Sequence, residues 1–306
     1  MIFSSTCAGI LMIVVSFIGL VPLLLVVLQI LRYRRNFTPF RYLILSKLIA
    51  DGLELFIVMM LLVSSELIFG EWVPLRYRPA VGYVAVGLQY SSFHTSIAMT
   101  ANRLLAVLYP LKYNAWFTVP TTITMIIICW LSGWIIRLDY MLWDCHFIFV
   151  PQSRQFIYTG CTGIIPFIYN VIFALLTTTL DIFSLSRVKH INQGGVDTRG
   201  SKHEKPWFLQ ATINSALYLS MLGLFYIAGY SDDKTVKFFL RVIGWQLWLS
   251  AIPLTCLILI FADIHYHRPS KGVPAPHSKN MEENCWTFKN DSSHLATEVF
   301  LKFQAS

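Results

Sequence analysis

His94-Thr-Ser-Ile-Ala-Met-Thr-Ala-Asn102-Arg103-Leu-Leu-Ala-Val-Leu-Tyr109-Pro110-Leu-Lys112-Tyr113 is the stretch that decides how this chain is read. It is an apolar run dotted with hydroxyls that ends on an arginine, continues through Ala106-Val-Leu-Tyr-Pro110 and stops at a lysine. A hydrocarbon core rejects a guanidinium unless it is paired or reaches the interface. Arg103 is therefore expected at one mouth of a spanning helix, with Lys112 in the polar loop beyond it.

Composition agrees. The 306 residues are 56% hydrophobic and 13% charged, and mean hydropathy is +0.59, far from the balance of a water-soluble domain. A hydrocarbon core about 30 Å thick needs about 20 apolar residues per helix. Segments of that kind lie near 8–31, 41–69, 82–109, 119–141, 157–185, 207–230 and 237–263. The third is the most polar, with Ser91, Ser92, His94, Thr95 and Ser96, and is expected to be surrounded by the others. Met1 to Cys7 carries no basic residue and leads into an apolar run of about 24 residues, longer than the core of a signal peptide. It is read as a retained first helix.

The net charge of +8 is not a nucleic-acid footprint, because the basic residues sit in short loops without an aromatic-interleaved patch. Arg32, Arg34, Arg35 and Arg41 flank the first loop, Lys112 stands in the third, and Arg187, Lys189, Arg199, Lys202 and Lys205 crowd the fifth. Arg268 and Lys271 follow the last helix. The even loops are mixed: Glu71, Arg76 and Arg78 in the second, Asp139, Asp144 and Arg154 in the fourth, and Asp232, Asp233 and Lys234 in the sixth. The positive-inside rule then places the N-terminus outside and the C-terminus inside. The sequence thus predicts an all-α membrane protein, a seven-transmembrane helix bundle in a multi-pass chain. Residues 1–7 form a short extracellular N-terminus, 8–265 the helical domain and 266–306 a cytoplasmic tail. The sequons at Asn36 and Asn290 both face the cytoplasm in this orientation and are expected to stay bare.

Cys7, Cys145 and Cys161 fall on the oxidising side, and three pairings are open among them. Pairing Cys145 with Cys161 would clip the fourth loop and contribute about 3 kcal/mol. The alternative is that all three stay free.

Seven helices, an outside N-terminus and an arginine closing helix three resemble the rhodopsin-like G-protein-coupled receptors. His94-x-x-Ile-Ala-x-x-Ala-Asn-Arg103, followed by Ala-Val-x-Tyr-Pro-x-x-Tyr113, is similar to the nematode serpentine chemoreceptors, class x in particular. Phe208-Leu-Gln210 at the start of helix six, the Cys145 to Cys161 spacing and Trp245 in helix seven look similar too. The resemblance implies a plasma-membrane receptor, that of a sensory cell, which binds a small molecule within the bundle and signals through a cytoplasmic heterotrimeric G protein. It implies no cofactor and no metal.

The resemblance assigns Asn102-Arg103 to the switch, in place of an acid-arginine pair. Arg103 is expected to pair with Glu204 at the start of helix six in the closed state; the alternative is an interfacial arginine anchored on phosphate. Asp51 matches the helix-two aspartate of such receptors, and Ser92 lies where a sodium-site serine often stands. Two oxygens are too few for that ion, and Lys47 one turn away offers Asp51 a local partner. Gln89, Ser92 and Ser96 share the Arg103 stripe, with Gln89 about 21 Å further out. Gln89, Tyr90, Ser92, Tyr226, Trp245 and Trp248 are the candidate ligand-pocket residues.

Some features depart from the resemblance. The outer end of helix three has Arg78 near the usual cysteine position, helix one has Gly19 where asparagine is typical, and helix seven reads Ala251-Ile-Pro253 without an Asn-Pro pair. Two other readings follow. Lys47, Asp51 and Glu54 form a charged stripe of the kind that lines a transporter or channel, although no internal repeat is present. The helix-seven departures would also suit a receptor-like protein that no longer signals. An enzyme is not indicated, because His265-Tyr-His267 stands without further histidine boxes and no nucleophile elbow occurs.

Overall fold

The computed structural model describes residues 4–32, 39–70, 72–142, 144–161, 163–193 and 199–266. Among them are seven long helices: α1 (Ser5–Arg32), α2 (Pro39–Phe69), α3 (Arg78–Leu108), α4 (Val119–Leu142), α5 (Ile164–Gln193), α6 (Arg199–Ile227) and α7 (234–266). A helix hydrogen-bonds its own backbone, which is what a bilayer demands of a spanning segment. Each helix but α3 contains a stretch long and apolar enough to cross by composition alone.

The polarity of α3 is explained by its neighbours. Helices α2, α4 and α5 pack along it, and Ser91, Ser92, Thr95 and Thr100 are buried. Ser91 and Thr95 spend their hydroxyls on carbonyls four residues back, a bond open to such side chains where water is absent. Outer helices show the reverse pattern. Phe17, Ile18, Leu24, Ile127, Ile128, Leu131, Ile172 and Leu175 are exposed on α1, α4 and α5, as lipid contact requires.

Proline closes α3. Tyr109 leaves helical geometry at φ −133° and ψ 60°, as the residue before Pro110 must. Pro110 then opens a short helix, Pro110–Trp116. Two helices contain wide turns with hydrogen bonds five residues apart, over Glu54–Val63 in α2 and Phe238–Ile243 in α7. Such segments shift the facing of side chains and often occur at functional sites. Glu54 and Arg241 lie in them.

The sequence expectation fails at the fourth loop. Helix five was expected from residue 157, but α5 starts at Ile164 and a hairpin precedes it. β1 (His146–Val150) and β2 (Gln155–Thr159) pair antiparallel, with Ile148 opposite Ile157, so the chain is not purely α-helical. The physical reason is legible afterwards: both segments alternate aromatic and β-branched residues around a Pro151-Gln-Ser-Arg154 turn. Phe147, Phe149 and Phe156 point inward as a ring cluster. Cys145 and Cys161 are joined as a disulfide at the base of the hairpin, with 5.2 Å between their Cα atoms. Gly160 sits at φ +80° against the Asp144 carbonyl, a position that no side chain could occupy. The fifth loop is also shorter than expected, since α5 runs to Gln193 and α6 begins at Arg199.

The hairpin rests on α3 at Gly82, where an added Cβ would strike the Phe147 carbonyl. Gly82→Leu should therefore lift the hairpin, lowering stability by about 1–3 kcal/mol and exposing 151–154 to protease. An unchanged melting temperature and cleavage rate would show that the hairpin is not seated there.

Candidate functional site

We call the end that carries the hairpin the outer end, following the basic-residue bias. Three polar levels then run inward along the bundle. At the inner level Arg103 Nη1 lies 3.9 Å from Asp181 Oδ1 on α5. Asp181 is the better anchored partner. Thr100 donates to its Oδ1 at 3.0 Å, and Ser215 of α6 donates to its Oδ2 at 3.1 Å. One carboxylate thus ties α3, α5 and α6 together. Arg103 also donates from Nε to the Met99 carbonyl at 3.3 Å and lies 5.5 Å from the Phe40 ring centre. Its neighbour Asn102 accepts from the hydroxyl of Tyr113 at 3.1 Å, so the short helix after α3 folds back on the Asn-Arg pair. The side chain of Glu204, the expected partner of Arg103, lies outside the described residues. Among the described residues the acid that Arg103 meets is Asp181, which sequence reasoning missed. A lone carboxylate in an apolar helix that also carries a run of threonines was the available signal.

The middle level joins α2, α3 and α7. Lys47 Nζ lies 3.2 Å from Asp51 Oδ2 and donates to Ser92 Oγ at 2.6 Å. Ser92 in turn donates to Asp51 Oδ1 at 2.5 Å. The three groups close a triangle in which the ammonium supplies the positive charge. Glu54, one turn further out on α2, is fully buried. Its carboxylate faces the Trp245 indole without reaching hydrogen-bond geometry. One ammonium therefore stands near two acids. Trp248 of α7 covers the ammonium, 5.8 Å from ring centre to Nζ.

The contact of α7 with α1 is also polar. Gln246 Nε2 donates to the Met12 carbonyl at 2.6 Å and to Ser16 Oγ at 2.5 Å. Ser250 packs on Gly19, where a side chain would collide with it. Ser16, Gln246 and Ser250 join these helices where the sequence carries neither the helix-one asparagine nor the helix-seven Asn-Pro pair.

Two cavities flank the middle level. The inner one, about 70 Å³, is lined by Lys47, Arg103, Asp181, Ser215, Tyr218 and Trp248 among others. The outer one, about 490 Å³, lies under the hairpin between α3, α5, α6 and α7, and a small ligand fits that volume. Of the six residues expected in a ligand pocket, Gln89, Tyr226 and Trp245 line the outer cavity. Tyr90, Ser92 and Trp248 do not. Tyr90 is one position round the helix from Gln89 and packs on Tyr169 of α5, 5.1 Å between ring centres. Ser92 turns to Lys47 and Asp51, and Trp248 belongs to the inner cavity. His94 faces α4 and α5, bonded to Ser132 and to the Tyr169 hydroxyl at 2.7 and 2.8 Å. The hairpin residues of the cavity wall, Phe147, Phe156 and Tyr158, were hidden from sequence reasoning by the helix expected there.

A bundle of seven membrane-crossing helices, with an outer cavity under a disulfide-closed hairpin and an arginine held near its inner end, defines a serpentine membrane receptor. The family described as serpentine type 7TM GPCR chemoreceptor Srx matches residues 13–251, and the chain belongs to that family. It is an integral, multi-pass membrane protein of a receptor family, not an enzyme family. Comparison with curated proteins finds no match.

The triangle sets a sign for mutation. Lys47→Leu leaves two buried acids without their cation and should cost about 3–5 kcal/mol of stability. Adding Asp51→Asn removes one of those acids and should restore part of the loss, a coupling that thermal unfolding of the four proteins measures. Strictly additive losses would show that the three groups do not act together.

Proposed function

We propose that this chemoreceptor binds a small molecule in the outer cavity and signals to a heterotrimeric G protein at its cytoplasmic end, in the plasma membrane of a sensory cell. The observation that carries the reading is the continuity of the levels along α7. Trp245 lines the outer cavity and faces Glu54. Trp248, one turn on, covers Lys47 and lines the inner cavity with Arg103 and Asp181. A ligand that displaces Trp245 disturbs the acids of α2, and the change reaches the ammonium and Trp248 through direct contacts.

The output is the tie at Asp181. In the closed state Asp181 holds Arg103 from α3 and Ser215 from α6. Moving α6 breaks the Ser215 bond, loosens the carboxylate and frees Arg103 beside Asn102 for the G protein. The ligand shifts this equilibrium only by the difference in its affinity for the two states. The Lys47 ammonium beside Asp51 and Ser92 supports reading this group as a paired switch element rather than an ion site. The Lys47, Asp51 and Glu54 stripe, which suggested a carrier, is buried against α3 and α7, as suits a packed switch.

Asp181→Asn tests this without a known ligand. It keeps the volume but removes the charge that holds Arg103 and, because an amide has a single oxygen to accept with, one of the two hydroxyl bonds from Thr100 and Ser215. Cells carrying the full-length chain and a panel of G-protein α-subunits should show at least a doubling of basal cAMP or calcium signal with one of them, as a shift of about 0.4 kcal/mol would give. Basal output equal to wild type with every α-subunit, at matched surface expression, would contradict the lock.

A further inference from the structure

Arg241 is a cation in the outer half of the bundle that the signalling row does not use. It lies in the wide-turn segment Phe238–Ile243 of α7 and contributes to the wall of the outer cavity. Its Nη1 donates to Gln155 Oε1 of β2 at 2.9 Å. Its guanidinium carbon lies 4.8 Å from the ring centre of Phe225 on α6. Its Nε is buried and has no hydrogen-bond partner among the described residues. The buried cations among the described residues, Lys47, Arg78 and Arg103, each meet a carboxylate within 4.0 Å. Arg241 has none within that distance among the described residues.

The rest of the cavity wall sharpens the contrast. Gln89, Asn170, Tyr158, Tyr226, Tyr230 and the Trp245 indole are its polar members, and among the described residues no Asp, Glu, Lys or His joins them. Of the nearest charges along the chain, Asp232, Asp233 and Lys234 are exposed and Lys237 is half-buried, and none of them lines the cavity. Among the described residues the cavity is therefore a ring-lined space with a single fixed positive charge, held in place by an amide on one side and an aromatic face on the other. A half-buried guanidinium with a donor to spare is costly until an anion meets it, and its planar fork suits a carboxylate or sulfate.

We propose that the outer cavity selects small amphipathic anions: a carboxylate or sulfate head on an apolar body, with Arg241 taking the head and Phe156, Phe167 and Phe225 enclosing the body. This rests on the outer cavity being the ligand site. It goes beyond that reading by fixing the sign of the ligand's charge and the residue that reads it. Because Gln155 shares the guanidinium, the bound head would also link the hairpin to α7. Ile164, Tyr226 and Tyr230 line the cavity and are exposed on the bundle surface, so the same head group can arrive from water or as a fatty acid from the bilayer.

The test uses the full-length protein in neutral phosphatidylcholine nanodiscs, read by tryptophan fluorescence and melting temperature. Three matched water-soluble probes are compared: 4-phenylbutyrate, 4-phenylbutan-1-ol and 4-phenylbutylamine. Oleate and oleyl alcohol form a bilayer-delivered pair. At least one acid should bind at least tenfold more tightly than its alcohol and stabilise the protein, and the arm that responds names the source. That preference should vanish in Arg241→Gln and fall severalfold in Arg241→Lys, which keeps the charge but not the fork. Raising salt from 50 to 500 mM should weaken the acid and leave the alcohol unchanged in the unaltered protein, a readout that needs no variant. Equal binding of acid and alcohol would overturn anion selection while leaving the cavity as a ligand site. Undiminished acid binding in Arg241→Gln, or no binding of any probe, would overturn the proposal. The basal-signalling result with Asp181→Asn decides the receptor reading independently of either.

Discussion

Hydrocarbon offers no partner to a charge, so the ionised side chains of a spanning bundle must answer one another. In this chain α3 takes part in the answer at three depths. Near its outer end Arg78 meets Glu66 of α2 at 3.5 Å and donates to the Val73 carbonyl. At mid-depth Ser92 closes the triangle with Lys47 and Asp51. Near its inner end Arg103 meets Asp181 of α5. Moving α3 to the rim would leave those groups facing lipid, at a cost of several kcal/mol for each unpaired polar group. The central place of α3, and with it the order of its neighbours, follows from this constraint.

The same constraint shapes the outer end. Arg78 stands near the position where related receptors carry a cysteine, and its pair with Glu66 joins α2 to the start of α3. The disulfide is spent within the hairpin instead, between Cys145 and Cys161. The hairpin is thereby fixed as a unit, and its seat on α3 is the Gly82 contact together with the ring cluster of Phe147, Phe156 and Trp245. The outer cavity, roofed in this way, has a wall that belongs to a strand, and that wall meets α7 through Gln155 and Arg241.

The seven segments were legible because hydropathy and helix length report directly on the bilayer. The mid-depth triangle was half legible: Lys47 and Asp51 are one turn apart, and Ser92 joins them once α2 and α3 touch. The lock was not. A local motif points to Arg103, but its partner lies 78 positions on, and no spacing rule connects the two. The hairpin was masked because a short run of aromatic and β-branched residues is as apolar as the start of a helix. Tyr90 and Trp248 were candidates as aromatics of the spanning helices, and helical phase sends them to α5 and to the inner cavity.

In the resting bundle the Asp181 carboxylate, shared between Arg103 and Ser215, would hold α6 against α3. Electron–electron double resonance between spin labels at Leu108 and Ile213, both partly exposed, reads that closure directly in lipid. The account predicts a single narrow distance in the parent protein and a longer, broader distribution once Asp181 is changed to Asn. Superimposable distributions would contradict it.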